Sequence, residues 1–221
     1  IDALHRAGKK IILVNCSGSP IGLEPETQKC EAILQAWYPG QQGGKAVAEV
    51  LFGDYNPAGK LPVTFYRNVS QLPDFEDYNM TGRTYRYMQD VPLFPFGYGL
   101  SYTTFGYGKT VFDKNELTAG QSLKLTVPVT NTGKRNGEEV VQVYLRKQGD
   151  AEGPIKTLRA FKRVSIPAGK TVNVEFDLKD KELEWWDDQS NTVRVCPGNY
   201  DIMVGGSSKE EDLQRTTIAI K

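Results

Sequence analysis

From about residue 103 onward the chain alternates apolar and polar positions with a period of two. Residues 122–129 do so cleanly, as do 141–146 and 172–178. Successive side chains of a strand point to opposite faces, so this is the signature of half-buried β-strands. Residues 200–204 and 217–220 complete the set. The turn signals Asn131-Thr132-Gly133, Pro167-Ala168-Gly169 and Pro197-Gly198 fall between these runs. Short alternating strands with regular turns predict an antiparallel β-sandwich of about a hundred residues. Trp185 and Trp186 are expected to fill its core and edge, and Asp180 to start a short helix.

The first 65 residues read as α/β. Ile1 and Leu4 share one helical face, and Gly8 suits the end of that helix. Ile11-Ile12-Leu13-Val14 is an unbroken apolar run, as expected of a parallel strand buried on both faces. Residues 32–37 form a second such run. Ala46, Val47, Val50 and Leu51 have helical spacing, and Gly53 and Pro57 stop that helix. Glu24-Pro25 marks another helix start. Leu61-Pro62-Val63-Thr64-Phe65 predicts a third short strand, near an edge because of its proline. These elements are too few to cover strands so apolar. The expectation is an incomplete α/β domain with a broad apolar patch, which aggregates, self-associates or binds its missing part.

Between the two regions, residues 66–105 carry many aromatics and little periodicity. Within them, Pro92-Leu93-Phe94-Pro95-Phe96-Gly97-Tyr98-Gly99-Leu100-Ser101-Tyr102-Thr103-Thr104-Phe105 cannot be a regular helix or central strand, because its prolines lack donors and its glycines loosen the backbone. It is too apolar for a solvated loop. The segment reads as a rigid seam whose rings pack against two bodies at once.

Lys and Arg number 27, as do Asp and Glu, in a chain of 221 residues. Those charges are scattered, which argues against a nucleic-acid partner. No apolar run approaches the ~20 residues that span a bilayer. The chain begins at Ile1, and the expectation is an excised or processed piece. Three cysteines argue against a disulfide framework. Cys16 and Cys30 are expected to be buried small hydrophobes, with a Cys16–Cys30 bridge as the lesser alternative. With no CxxC and one histidine, neither a metal site nor a cofactor is expected. His5 is read as serving its helix's dipole rather than catalysis. Gly43-Gly44 lacks the fingerprint of a dinucleotide site, and Gly205-Gly206-Ser207-Ser208 reads as a strand-end turn. Asn15, Asn68 and Asn79 each open a glycosylation-type triplet.

Paired carboxylates can serve as nucleophile and general acid/base where a fold sets them close together. Glu24, Glu26, Asp74, Glu76, Asp77, Glu138, Glu139, Asp187, Asp188, Glu210, Glu211 and Asp212 are all available, but each reads first as a solvated face, cap or turn. The stretch 74–87 (Asp74-Phe75-Glu76-Asp77-Tyr78-Asn79-Met80-Thr81-Gly82-Arg83-Thr84-Tyr85-Arg86-Tyr87) is the best candidate to line a sugar pocket. Its rings offer stacking faces, and its Arg and Asp offer paired hydrogen bonds to hydroxyls. The candidate substrate-binding residues are Asp77, Tyr78 and Arg83. The preferred alternative is that the rings anchor the linker while Arg83 and Arg86 bind nearby carboxylates or carbonyls.

Trp37-Tyr38-Pro39-Gly40-Gln41, residues 51–65, the seam at 92–105, Leu158-Arg159-Ala160-Phe161-Lys162-Arg163-Val164 and residues 197–208 occur in order along the chain. Together they resemble the C-terminal part of glycoside hydrolase family 3 enzymes. The run 77–87 is most similar to the branch containing β-xylosidases and related β-glucosidases. The resemblance implies a truncated α/β sandwich over 1–65, an aromatic-rich linker over 66–105 and a fibronectin type III-like domain over 106–221. It implies an exo-acting retaining β-glycosidase acting on terminal β-linked xylose or glucose of oligosaccharides, periplasmic or secreted. It also implies partners in the missing half-domain and in an upstream barrel. In that family the nucleophile is an aspartate of the barrel, and the acid/base is usually a glutamate in the earlier half of the sandwich domain. Neither motif occurs here, so no catalytic residue is assigned, and the chain alone is expected to be inactive. The other reading is a non-catalytic carbohydrate- or protein-binding β-sandwich module. Against it, the strands show no solvent-facing row of aromatics.

Overall fold

A computed structural model describes residues 1–221. The N-terminal region opens with α1 (Asp2–Arg6), which has an acid in its first turn and His5 and Arg6 in its last, as the helix dipole favours. Strand β1 (Ile12–Asn15) follows, then the short α2 (Glu24–Thr27) with Pro25 at its start, then β2 (Ala32–Gln35). β1 and β2 pair in parallel, Ile12 opposite Ala32 through Asn15 opposite Gln35. Helix α3 (Gly43–Phe52) ends at Gly53, whose φ of +82° closes the last turn.

Four expectations for this region are corrected. The two-stranded sheet is not buried on both faces: Ile12 is 54% exposed, and the rest of β1 is half-buried. Residues 61–65 do not join it. Instead they run antiparallel to the seam: Leu61 N–H donates to Tyr98 O and Gly97 N–H to Leu61 O, while Phe65 N–H donates to Phe94 O and Leu93 N–H to Phe65 O. Pro62, Pro92 and Pro95 have no donors, so the ribbon keeps only scattered bonds. Cys16 is exposed and Cys30 half-buried, because no second layer covers that end of the sheet; all three cysteines are free. The second apolar run also stops early. Trp37 turns away with φ +56° and sets its ring edge-on to Phe65, 6.2 Å away.

After the single-turn α4 (Thr84–Tyr87) come β3 (Phe105–Tyr107), β4 (Val111–Phe112), β5 (Glu116–Leu117), β6 (Leu123–Asn131), β7 (Gly137–Lys147), β8 (Thr157–Ile166) and β9 (Thr171–Leu178). The chain ends with α5 (Asp180–Leu183), a β10 (Trp185–Asp187)–β11 (Thr192–Arg194) hairpin, β12 (Gly198–Gly205) and β13 (Leu213–Ile220). One sheet has the order β5-β13-β12-β7-β8; in the other, β6 pairs β9 on one side and both β3 and β4 on the other. Pro128 falls between the stretch of β6 paired by β3 and the stretch paired by β4, where its missing donor is tolerated.

The alternation along β6 and β9 points inward, and one cluster of 20 buried side chains, all from Leu117 onward, fills the space between the sheets. Trp185 lies in that core and Trp186 at its exposed edge. In β7 and β12 the alternation is lost because both faces are covered. Val141, Val143, Tyr200, Ile202 and Val204 face the sandwich core, while Gln142, Tyr144 and Met203 are buried on the other side. The α4 turn and the seam cover that side: Tyr85 stands edge-on to Tyr144, and Gln142 donates to the carbonyl of Gly97.

Candidate functional site

The loop over 74–83 is built from its own polar groups. Asp74 accepts from Glu76 N–H at 2.9 Å. Asp77 accepts from both the backbone and the side-chain amide of Asn79, at 2.9 and 2.8 Å. Those bonds hold the Asp77 carboxyl below the usual carboxylate range. The Arg83 guanidinium donates to the carbonyls of Asn79, Asp74 and Asp77 and so staples the loop from inside. Of the three candidate residues, then, Asp77 and Arg83 satisfy the loop itself. Tyr78 points outward, 90% exposed, beside Phe75 at 92%.

The preferred alternative holds for Arg83, which binds carbonyls, but not for the rings of Phe75 and Tyr78, which anchor nothing. Neither does Arg86 bind a carboxylate: its guanidinium lies over Tyr87, 5.6 Å from the ring centroid. Anchoring falls to the next turn. Thr84 takes φ +56°, its N–H donates to the Tyr66 hydroxyl, and Tyr85 N–H donates to the buried Thr64 hydroxyl. Tyr85 then stacks on Phe96, and its hydroxyl accepts from Leu158 N–H, where β8 carries an extra residue opposite β7.

Across the seam the polar groups are closely matched. Gln142 donates to Gly97 O and Gly206 O and accepts from the Tyr144 hydroxyl. Asn56 donates to Asn136 O and accepts from Ser101 and Tyr102. Ser208 N–H donates to Phe96 O, at the strand-end turn. Glu139 meets Lys60 Nζ at 3.2 Å and the Tyr107 hydroxyl at 3.1 Å. Burial raises the proton affinity of the Glu139 carboxyl; Lys60 offsets this only in part. Tyr107 is pushed far up by burial, then by Glu139.

Glu138-Glu139 does not form one solvated face, as the sequence suggested. Glu139 shares the inward phase of Val141 and Val143, and that period-two phase was the signal available for it. No such signal marked Lys60 or Gln142, whose partners lie 79 and 45 residues away.

Among the cavities along residues 60–105 are two of like size. One, of about 770 Å³, opens beside the loop and is lined by Pro73, Thr81, Gly82 and Tyr87. The other, of about 640 Å³, lies between residues 88–98 and the sandwich. Glu210 stands in the second. Burial alone would raise its pKa, but hydrogen bonds and charge from Lys156 and Arg215 outweigh burial and keep the carboxyl low. That is the opposite of what a general acid requires. No group of His, Cys, Asp and Glu side chains is placed to hold a metal ion, and no helix is long and apolar enough to cross a membrane.

Residues 1–102 match the glycosyl hydrolase family 3 C-terminal domain, and residues 139–208 match a fibronectin type III-like domain. A xylan 1,4-β-xylosidase of Xylanibacter ruminicola is 56% identical over all of this chain, which spans 25% of that protein. A periplasmic β-glucosidase of Salmonella typhimurium is 38% identical over 94% of the chain, matching 29% of its own length. The structure of a β-glucosidase from Erythrobacter marinus superposes with a TM-score of 0.86 and 41% identity, covering all of this chain and 29% of that one. The chain thus spans roughly a quarter to a third of the relatives it matches.

Proposed function

The chain belongs to glycoside hydrolase family 3, in whose C-terminal region it falls, and on that premise we propose that it is part of an exo-acting retaining β-glycosidase. The substrates are oligosaccharides ending in β-linked xylose or glucose, and the enzyme works in the periplasm or outside the cell. The observation that carries this reading is the 56% identity to a xylan 1,4-β-xylosidase, over an alignment that covers the whole chain.

In this reading the division is 1–65, 66–105 and 106–221, and the chain's role is to scaffold. The nucleophile and acid/base lie upstream, on a barrel and on the rest of the α/β domain. The β-sandwich braces that domain through the seam. The carboxylates at 74–77 sit on an open loop whose turns Asp74 and Asp77 hold, and the most buried carboxylate, Glu139, is committed to Lys60 and Tyr107. Both facts favour a supporting role. Tyr78, with Phe75, offers a stacking face to a sugar ring, and Asp77 and Arg83 shape the loop that presents it.

The test is hydrolysis of aryl β-xyloside and aryl β-glucoside by the chain alone and by the chain joined to the upstream part of its gene product. The expected result is turnover only for the longer protein. Turnover by the chain alone that is lost on substituting Asp74, Glu76 or Asp77 would overturn the scaffold role.

A further inference from the structure

We propose that the 640 Å³ seam cavity is a binding site for an acidic saccharide, a sugar ring bearing a carboxylate of the uronic acid class. Its size is within the range of small-molecule sites, about 300–1,000 Å³. Phe94 and Tyr98 lie stacked along one wall, 5.7 Å between centroids, and give an apolar face to the C–H side of a ring.

Arg146 supplies the charge. It is half-buried on β7, and its side chain makes no hydrogen bond or ion pair within the chain. Across the ladder it faces Asp201, whose oxygens are already engaged by Gln148, Thr217 and Arg215. A partly desolvated guanidinium without an acceptor is suited to a carboxylate, which it grips through two parallel N–H bonds. Lys156, buried beside it, spends two of its three protons on Ser208 O and Glu210, both at 2.8 Å, and keeps one free.

Of the five cations that line the cavity, Arg67, Lys156, Lys209 and Arg215 are paired with carboxylates, so Arg146 is the charge left for an anion. The same carboxylates can accept from ring hydroxyls, and the Phe94–Tyr98 wall can meet the ring, two sets of contacts that a free phosphate lacks. This site does not rest on the glycosidase reading, because binding is measured without turnover.

The test is ligand-observed saturation-transfer NMR on the 221-residue chain, which reads associated and monomeric protein alike. The probes are sodium D-glucuronate, D-xylose and inorganic phosphate. The expected result is saturable glucuronate binding at millimolar concentration, with xylose much weaker and phosphate not competing. Arg146→Gln should weaken glucuronate by about tenfold or more, as loss of a charge-assisted pair requires. Arg146→Lys, which keeps the charge but not the fork, should weaken it several-fold and serves if the first variant does not fold. Absence of glucuronate binding, equal binding of xylose, displacement by phosphate, or affinity unchanged in a folded Arg146 variant would each overturn the proposal.

Discussion

The ring of Tyr85 lies flat against that of Phe96, with centroids 4.2 Å apart and planes 18° apart. Tyr85 belongs to the turn that follows the exposed loop, and Phe96 to the seam. The same tyrosine meets Tyr144 of β7 edge-on and accepts from Leu158 of β8. One side chain thus ties linker, seam and sandwich. Tyr85→Ala should cost about 2–4 kcal/mol, by loss of aromatic burial and creation of a cavity. Tyr85→Phe should cost only about 1 kcal/mol, the worth of one hydrogen bond. Urea unfolding of both variants checks this; equal losses would show that stacking contributes little.

Glu139 gives a pH dependence of definite sign. Burial raises its pKa above the usual 4.5 in the folded chain, so the folded state takes up a proton more readily than the unfolded one. Its stabilising contribution is complete below that value and is lost as pH rises through the raised one. The stability of the natural chain relative to Glu139→Gln should therefore be greatest below about pH 4.5 and should shrink towards neutrality. Denaturant melts of both proteins across this range measure the difference, and a flat profile would contradict it.

Gly99 has no room for a side chain. A Cβ there would come within 2.1 Å of the Gly59 carbonyl oxygen, which is backbone and cannot swing aside. Gly99→Ala should force the seam away from residues 59–60 and cost about 1–3 kcal/mol, as overpacking does. Thermal unfolding gives the value. A neutral result would mean that the two segments are free to separate.

The half-covered β1–β2 sheet should make the isolated chain associate. Ile12 is 54% exposed and Leu4 52% on its neighbouring helix. Light scattering after size-exclusion chromatography should show species larger than the 24.6 kDa monomer, and Ile12→Lys should reduce them. A monodisperse monomer would count against the idea that this face needs cover.

The sandwich was legible where a strand is covered on one side only. β6 and β9 alternate, and their inward phase named the core residues directly. β12 and the middle of β7 blur that signal, because burial on both faces removes the contrast on which a period-two reading depends. The seam announced itself by prolines and rings, but its partners did not. Residues 61–65 were apolar enough to pass for a sheet strand, and only their pairing with 93–98 shows that they belong to the seam.

In the loop, residue types suggested a sugar contact at Asp77, Tyr78 and Arg83. Local sequence could not show that Asp77 and Arg83 are spent on carbonyls and amides at most nine residues away. Arg146 escaped notice because an unpaired cation is defined by what surrounds it in space.

The hydrogen bonds that cross the seam also order the events of folding. Asn56 waits for Asn136, 80 residues later, and Lys60 waits for Glu139, 79 residues later. A chain emerging from the ribosome therefore carries Asn56 and Lys60 without these partners until β7 is being made. Closing loops of that length is slow compared with forming a hairpin such as β7–β8, so the sandwich should form first and the seam should dock onto a finished sheet. The α/β end is then the last part of the molecule to become protected, and a chain halted before β7 would expose the aromatic segment to whatever binds it first.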